Sequence, residues 1–520
     1  MNFGRQEIFT DEKEVTAENV LSIVQNAMPT HEANAFRMTY LLNFEAGNQP
    51  LQRVKLTRQD IDTTDIDNVA NEIAEFKVGF NWGNPITLVQ RGETDNGTEK
   101  EANAIALLNE QYATALDGAK QQQLARFVEI CGVGYDYIDI NTEYDEEDNP
   151  CYFTKDVLDP RHSFVVKSNY YTDKRVILGV TYAETTDGNK HITAWSKNAR
   201  YEISGSYVLE MGDDGKEHKV ADYSHRNRSG ELNPLGMIPI IEWVRSYDRM
   251  GCFERQIDEL NALNILASDM INASSEQVDC IWHTNDIEFP TDENGEVIKP
   301  KTNDWIQTFT SQDGKTPFIT PLSPNYDYNG NLQNYTSKRA MILQKCNVPC
   351  RNDNSGGSTG IAMSDATGWS SAETSASKQQ LITEGAKMQE VRAVLRAIKK
   401  SPYIKQDNPL MTLTYMDVQP NIKRNKSYEL TTKSNALATL ISHGVDGLHA
   451  IKAVGLFDDD NQVWEDSKEL IEKYQKSIFE KQPTNTAVGG DGEKDADAEN
   501  TASDNSDQIE NSPMLDSNRG

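Results

Sequence analysis

The sequence predicts a multidomain protein of the α+β class, and two observations lead to this prediction. The chain has 520 residues, and a single hydrophobic core stops growing at about 250–300 residues, so several modules are expected. The hydrophobic periodicity also changes along the chain. Segments with the three- and four-residue steps of amphipathic helices flank a central region, Gly134 to His218, with the short apolar runs typical of β-strands.

The N-terminal part is predicted to be mainly helical. Thr16 to Met28 has apolar residues on one helical face, and Pro29 is expected to end this helix, with a second helix from about Asn34. Further helices are predicted at 67–81 and 102–131. The first of these two leads through a turn into a short strand at 86–90.

The central region is predicted to form an antiparallel meander, because its strands are joined by tight polar turns. After another strand at 238–244, a long helix is expected from Phe253 to Val278. Its apolar residues cover more than one side, which favours packing against neighbours on two faces. The residues predicted to pack in this way are Phe253, Ile257, Leu260, Leu263, Leu266 and Met270. A β-rich insert at 281–324, with a hairpin turn at 292–295, and a return helix at 332–345 follow.

The segment 348–371, VPCRNDNSGGSTGIAMSDATGWSS, is rich in Asn, Ser and Gly and is predicted to be a mobile loop. Ser370 and Glu373 have the spacing of a capping box and are expected to open a long helix that stops near Ser401. A strand at 411–418 and short helices at 435–474 come next. Beyond about Lys481 the acidic, weakly hydrophobic sequence predicts a disordered tail.

The charge of the chain excludes a broad DNA-binding face. Its formal net charge is −30, so the protein as a whole repels phosphate. The six cysteines are scattered singly, which indicates free thiols in a reducing compartment. No run reaches the roughly 18 apolar residues of a membrane span, and neither membrane insertion nor an export signal is expected.

Four motifs contain residue types that occur in chemical sites. The Gly356–Gly360 run lacks the Lys-Ser/Thr of a phosphate-binding loop, which favours a flexible loop. Asp292 and Glu296 faintly resemble a metal-dependent nuclease site, but Asp-Glu-Asn-Gly is a common turn sequence. The acidic clusters lack the spacing of a calcium loop, and Cys346 and Cys350 lack the second ligand pair of a structural zinc site. No catalytic residue, metal or cofactor is predicted.

Two segments together resemble the portal proteins of long-tailed, siphophage-type bacteriophages. VANEIAEFKVGFNWGNPITL, Val69 to Leu88, is similar to the helix, turn and strand near the start of that family. VPCRNDNSGGSTGIAM, Val348 to Met363, is similar to the family's stretch around the tunnel loop. The order of the remaining elements agrees with the family from about Leu41 to Tyr474.

The resemblance implies a portal fold: a mixed α/β wing, a two-helix stem, a β-rich clip and an α-helical crown. It assigns the chain as follows: N-terminal arm and wing 1–245, stem helices 246–279 and 331–347, clip 280–330, tunnel loop 348–372, wing or channel helix 373–400, crown 401–480 and acidic tail 481–520. It also implies a ring of about twelve copies that closes by rotation at one capsid vertex of the virion, after assembly in the host cytoplasm.

The resemblance further implies a channel through which double-stranded DNA is packaged and ejected, without enzymatic activity in this chain. The implied partners are the terminase large subunit, a head-tail adaptor, and the major capsid and scaffolding proteins. The tunnel-loop residues expected near DNA are Arg351, Asn352, Asn354, Ser355, Gly356, Gly357, Ser358 and Gly360, and the clip residues expected to contact a partner are Trp305 and Phe309. A capsid-associated adaptor without a channel, and a metal-dependent nuclease using Asp292 and Glu296, remain as alternatives.

Overall fold

The computed structural model describes residues 4–56, 58–91, 99–147, 150–211, 217–278, 281–285, 291–296, 317–322, 326–350, 368–424, 430–457 and 460–480. The chain divides into two compact units, Met1–Ser427 and Tyr428–Gly520. Both contain helices, and the first also contains several β-sheets, so the α+β prediction is confirmed at the level of fold class.

The first unit contains seven described α-helices. In chain order they are α1 (Val20–Glu45), α2 (Val69–Trp82), α3 (Glu99–Thr114), α4 (Asp117–Cys131), α5 (Ile257–Val278), α6 (Tyr328–Lys345) and α7 (Trp369–Lys400). The predicted helix at 102–131 is in fact the pair α3 and α4. It breaks at Leu116, which has a φ of +56° in the left-handed region.

Helix α1 contradicts the prediction that Pro29 ends the first helix, because Pro29 lies inside a 26-residue helix. The proline is exposed, so its ring faces solvent, and the helix lacks one backbone hydrogen bond at this position. The two halves of α1 pack into different cores, with Val24 and Met28 in one and Met38 and Phe44 in the other. Burial on both sides of Pro29 outweighs the local cost of a proline in a helix.

The first unit also contains fourteen described strands. They are β1 (Ile8–Thr10), β2 (Thr87–Gln90), β3 (Val133–Ile140), β4 (Phe153–Leu158), β5 (Ser163–Ser168), β6 (Val176–Glu184), β7 (Lys190–Trp195), β8 (Ala199–Met211), β9 (Glu217–His225), β10 (Glu231–Leu232), β11 (Ile240–Val244), β12 (Ile281–Asn285), β13 (Phe318–Leu322) and β14 (Val418–Asn421).

The largest sheet has seven strands in the order β1-β5-β6-β7-β8-β10, with β9 also paired to β8. Strands β5 to β9 pair antiparallel with one another in chain order, which confirms the meander over this region. The N-terminal strand β1 joins the edge in parallel, with Ile8 opposite Val166. Strands β3 and β4 do not join this sheet. They form a second sheet of order β11-β3-β4, so the prediction of one continuous meander is wrong at its start.

Two small sheets complete the first unit. Strand β2 pairs with β14, and β12 pairs with β13. The strand predicted at 411–418 is displaced: Pro409–Met411 is a 3-10 helix, and pairing begins at Val418. The predicted hairpin turn at Asp292 is confirmed, since Gly295 has a φ of +83° and its N–H donates to the Asp292 carbonyl at 3.0 Å.

The described part of the second unit contains three helices, α8 (Leu430–Ser442), α9 (Gly447–Val454) and α10 (Asp460–Glu480). Ala450 and Ile451 of α9 are fully buried. A Cβ at Gly447 would come within 2.2 Å of the Trp464 ring, so the glycine lets α9 approach α10 closely. No described helix of the chain combines the length and hydropathy that a membrane span requires.

Candidate functional site

Most of the predicted site residues lie outside the residues that the structure describes. The eight predicted tunnel-loop residues fall within 351–367, and Trp305 and Phe309 of the predicted clip fall within 297–316. The predicted disordered tail, 481–520, also lies outside them. These assignments stay predictions, whereas the two ends of the loop and the helices that hold them are described.

The base of the predicted tunnel loop is built around Asn347. Helix α6 ends just before it, and Asn347 adopts a left-handed conformation with φ +54°. The N–H groups of Asn347 and Val348 donate to carbonyls of the last helical turn at 2.9 Å each. On the far side of the loop, Ser371 Oγ donates to Asn347 Oδ1 at 2.5 Å. The departing and returning ends of the loop are therefore joined.

A buried lysine of α2 also holds this base. The Lys77 side chain is buried, and its Nζ donates to the Asn347 carbonyl at 3.1 Å. Burial lowers the pKa of Lys77, although the charge of Glu129 opposes this effect. Removal of Lys77 would leave the Asn347 carbonyl without this donor.

Aromatic packing fixes the start of α7. Helix α7 begins at Trp369, directly after Gly368, which has a φ of +88°. The Trp369 ring packs on Phe76 and Phe80 of α2, with ring centroids 5.9 and 5.8 Å away. The predicted capping box is wrong, because Ser370 lies inside the helix and the cap residue is Gly368. The contact of Trp369 with α2 explains why the helix begins earlier.

Glu129 of α4 connects α7 to the rest of the first unit. Its carboxylate is fully buried and accepts hydrogen bonds from Asn81, Trp82 and Gln379, the last at 2.5 Å, and from Arg245 Nε at 3.0 Å. Burial alone would raise the pKa of Glu129. The charge of Arg245 and the hydrogen bond from Gln379 outweigh burial and lower the pKa.

A second buried cluster contacts α7 at Lys387, eight residues after Gln379. It consists of two lysines and three carboxylates from α4, β3, β4 and α7, namely Asp117, Asp136, Lys155, Lys387 and Glu390. Lys155 Nζ lies 2.5 Å from Asp117, 3.4 Å from Asp136 and 3.1 Å from Glu390. Lys387 Nζ lies 2.8 Å from Glu390 and 3.2 Å from Asp117. These ion pairs join α7 to the three-stranded sheet.

The cluster has one more carboxylate than it has ammonium groups. Burial raises the pKa of Asp136 to about 7, although the charge of Lys155 opposes the shift. A proton on Asp136 therefore balances the charges of the cluster near neutral pH, since an uncompensated buried charge is costly.

The predicted stem residues are buried to different degrees by the chain itself. Phe253 precedes α5, because Glu254–Gln256 is a 3-10 helix and α5 begins at Ile257, later than predicted. Phe253, Leu260 and Leu263 lie in the core shared with α1, α2 and β3, and Met270 is also buried. Ile257 and Leu266 are half-buried. Further along α5 the same apolar stripe emerges into solvent, with Ile271 39% and Val278 80% exposed.

A feature that the sequence did not indicate covers another face of α5. Residues 49–56 and 58–67, here called the strap, run along the helix. Asn264, Ser268 and Asn272 lie four residues apart and bind the returning half of the strap. Asn272 exchanges two 2.8 Å hydrogen bonds with the backbone of Thr63, and Ser268 Oγ accepts from the Asp65 N–H at 2.9 Å. The sequence does show small polar residues at every fourth position of this otherwise apolar helix, and this pattern could have predicted a polar contact along α5.

The strap is also held by ion pairs to both predicted stem helices. Arg53 Nη2 lies 2.7 Å from Asp269 Oδ1, and Lys55 Nζ lies 2.6 Å from Glu276 Oε1. Both carboxylates belong to α5. Arg339 of α6 lies 3.1 Å from Asp67. The strap therefore connects α5 and α6 through its own charged side chains.

The alternative metal site at Asp292 has a structural explanation. Asp292 Oδ1 accepts the N–H groups of Asn294 and Glu296 at 3.0 and 2.8 Å, as expected for a turn. Among the described residues, no three His, Cys, Asp or Glu side chains gather closely enough to hold a metal ion. The five cysteines in the described part of the chain are free thiols, and burial raises the pKa of Cys346 to about 11.

The sequence of the chain is similar to that of a known protein family. No curated protein matches the chain. The sequence model of one family, described as phage portal protein, SPP1 Gp6-like, matches residues 61–477, which is more than half of the chain. The match includes the strap from Ile61 onward, both predicted stem helices and the base of the predicted tunnel loop. The chain therefore belongs to the SPP1 Gp6-like family of phage portal proteins.

Proposed function

We propose that this chain forms a ring of about twelve copies that closes by rotation and surrounds double-stranded DNA. The observation that carries the proposal is the family match over residues 61–477, since portal proteins are non-enzymatic virion components that form the DNA-packaging channel at the capsid vertex. The ring would then bind the terminase large subunit during packaging and a head-tail adaptor afterwards. It would meet the major capsid and scaffolding proteins at its rim.

The proposed division of the chain follows the family. The parts are the wing (1–245 and 373–400), the stem helices (246–279 and 331–347), the clip (280–330), the tunnel loop (348–372) and the crown (401–480). The pairing of β12 with β13 between α5 and α6 supports a β-rich clip at the end of a two-helix stem.

In this proposal, the tunnel loop contacts DNA through Asn352, Asn354, Ser355 and Ser358, with Arg351 as the basic residue. The described base supports this role. The hydrogen bond between Ser371 and Asn347 joins the ends of the loop, and the bond between Gln379 and Glu129 fixes the helix that follows. Small polar residues on a fixed base can follow a moving duplex without holding it.

The stem is proposed to seal the ring through the outer sides of α5 and α6. Ile271 and Val278 of α5 and Leu332 and Met341 of α6 are large apolar side chains that the chain itself leaves exposed. Burial of such side chains against the next subunit would drive ring closure. Trp305 and Phe309 are proposed to make the corresponding contact of the clip with terminase or the adaptor.

The acidity of the chain fits passage of DNA better than binding. Each Lys or Arg contact with a phosphate would have to break whenever the duplex advances. A net charge of −30 makes the protein weakly repulsive to phosphate on average, which lowers that friction.

The test is deletion of Ser355–Gly360 in the phage-assembly system. Rings should form as in the wild type, because the stem and the loop base remain, but packaging should fail. The matched control is Thr359→Ser, which makes the same six residues a pure Gly/Ser sequence of unchanged length and should package like the wild type. Normal packaging by the deletion variant would contradict the role of the loop. A wild-type chain that forms no ring would contradict the proposed function itself.

A further inference from the structure

The strap has an unusual distribution of side chains. Along 52–56 the charged residues turn inward and the aliphatic residues turn outward. The side chains of Arg53 and Lys55 are 10% and 12% exposed and pair with acids of α5. Val54 and Leu56, which alternate with them, are 84% and 85% exposed. Alternate residues of an extended segment point to opposite sides, so the outer face of the strap is apolar.

The outer face is also held in place. The strap is fixed to α5 on both its outgoing and returning halves. Arg53 and Lys55 pair with acids of α5, and the N–H groups of Thr63 and Asp65 donate to Asn272 and Ser268. Within the described part of the chain, no backbone N–H of residues 51–56 donates a hydrogen bond. A fixed, extended segment with exposed aliphatic side chains and open backbone donors is suited to receive another surface.

From this geometry we infer that Val54 and Leu56 dock on a neighbouring copy of this chain in the ring. The inference rests on the proposed ring and assigns one of its contacts. Two copies with a net charge of −30 each repel one another, so close contact requires faces where no charge is desolvated. The strap provides such a face because Gln52, Val54 and Leu56 are uncharged and the neighbouring cations are already paired inward.

The uncharged outer face of the strap also disfavours DNA as its binding partner. An outer face of Gln, Val and Leu side chains offers no cation for a phosphate group. A contact between copies is heterologous in a ring, so the strap of each subunit would meet a different surface on the next one. Each subunit would therefore present its strap to one neighbour and receive the strap of the other.

The first test measures ring formation by mass photometry over a range of protein concentrations. The double variant Val54→Asp with Leu56→Asp should need a concentration at least about tenfold higher for half-assembly, because two aliphatic contacts are lost and charge is added. The conservative variant Val54→Ile with Leu56→Met should assemble like the wild type. Equal tryptic patterns of the variants at low concentration would show that the strap is still seated on α5.

The second test places a photo-crosslinking benzophenylalanine at Leu56 in rings made from a mixture of ¹⁴N- and ¹⁵N-labelled copies. Crosslinked peptides that combine both isotopes support docking between copies. Crosslinks confined to one copy, or rings of the Asp variant that form at the wild-type concentration, overturn the inference while the proposed function stands. If the wild-type chain forms no ring, both the proposed function and this inference fail.

Discussion

Ser371 Oγ donates a 2.5 Å hydrogen bond to Asn347 Oδ1, and these two residues lie on opposite sides of the predicted tunnel loop. Ser371→Ala should lower the free energy of unfolding by about 1 kcal/mol, the usual net contribution of such a bond. The measurement is urea denaturation of the purified chain. Ser370→Ala is the matched control. Ser370 and Ser371 are both exposed, but of these two hydroxyls only that of Ser371 has a hydrogen-bond partner among the described residues, so the control should change stability by less than about 0.5 kcal/mol. Equal losses in both variants would contradict a role of the loop-base bond.

Glu129→Ala should lower the free energy of unfolding far more than Ser371→Ala does. It leaves the half-buried Arg245 without its carboxylate and removes the buried acceptor of Trp82 and Gln379. Loss of one partner from a buried ion pair costs about 3–5 kcal/mol. The expected result is a large drop in the urea midpoint, whereas Lys378→Ala, at an exposed position of α7, should leave the midpoint nearly unchanged. A small effect of Glu129→Ala would show that α7 is held mainly by other contacts.

Asp136 should make stability depend on pH. Its folded pKa is raised to about 7, whereas an unfolded aspartate releases its proton near pH 4. Between these values the folded state binds more protons, so the contribution of Asp136 is complete below about pH 4 and is lost as pH rises through 7. The slope is at most about 1.4 kcal/mol per pH unit for one proton.

Asp136→Asn keeps the shape of the side chain but cannot ionise. The stability of this variant relative to the wild type should therefore rise between pH 5 and pH 8 in urea denaturation series. Asp156→Asn, on the adjacent strand and with a 69% exposed side chain, should keep the wild-type pH dependence. A constant difference between Asp136→Asn and the wild type at every pH would sink this prediction.

The strap should loosen when Asn272 is replaced. Asn272→Ala removes both hydrogen bonds to the Thr63 backbone, and loss of the pair should destabilise the attachment by about 1–3 kcal/mol. Trypsin should then cleave faster at Arg53, Lys55 and Arg58, as followed by mass spectrometry. Ser274→Ala, on an exposed position of the same helix, serves as the control and should be cut at the wild-type rate.

The sequence predicted those parts of the fold that depend on local periodicity. The meander of β5 to β9 and the helices α5, α6 and α7 follow from spacing alone. The prediction failed at Pro29, because burial of both halves of α1 in separate cores overrides the local preference of proline. It failed at Ser370 for a similar reason, since the packing of Trp369 against Phe76 and Phe80 sets where α7 begins.

The candidate site was predictable in outline but not in its supporting contacts. The loop between α6 and α7 is visible as a Gly/Ser/Asn-rich segment. The cluster around Lys155 is not, because Asp117, Lys387 and Glu390 are far apart in the chain and each alone resembles an ordinary surface charge. Only the three-dimensional arrangement shows that these groups are buried together.

The two attachments of α7 limit how the chain beyond the loop can move. Gln379 and Lys387 are eight residues apart, or about 12 Å along the helix axis. Gln379 is bound to Glu129 and Lys387 is bound to Asp117, and both of these carboxylates belong to α4. Because α7 is bound at two separated positions, it cannot rotate about its own axis or slide along it unless the bonds at both positions break. A displacement of the chain before α7 would therefore have to be taken up at or before Gly368, where the helix begins, while α7 keeps its register against α4.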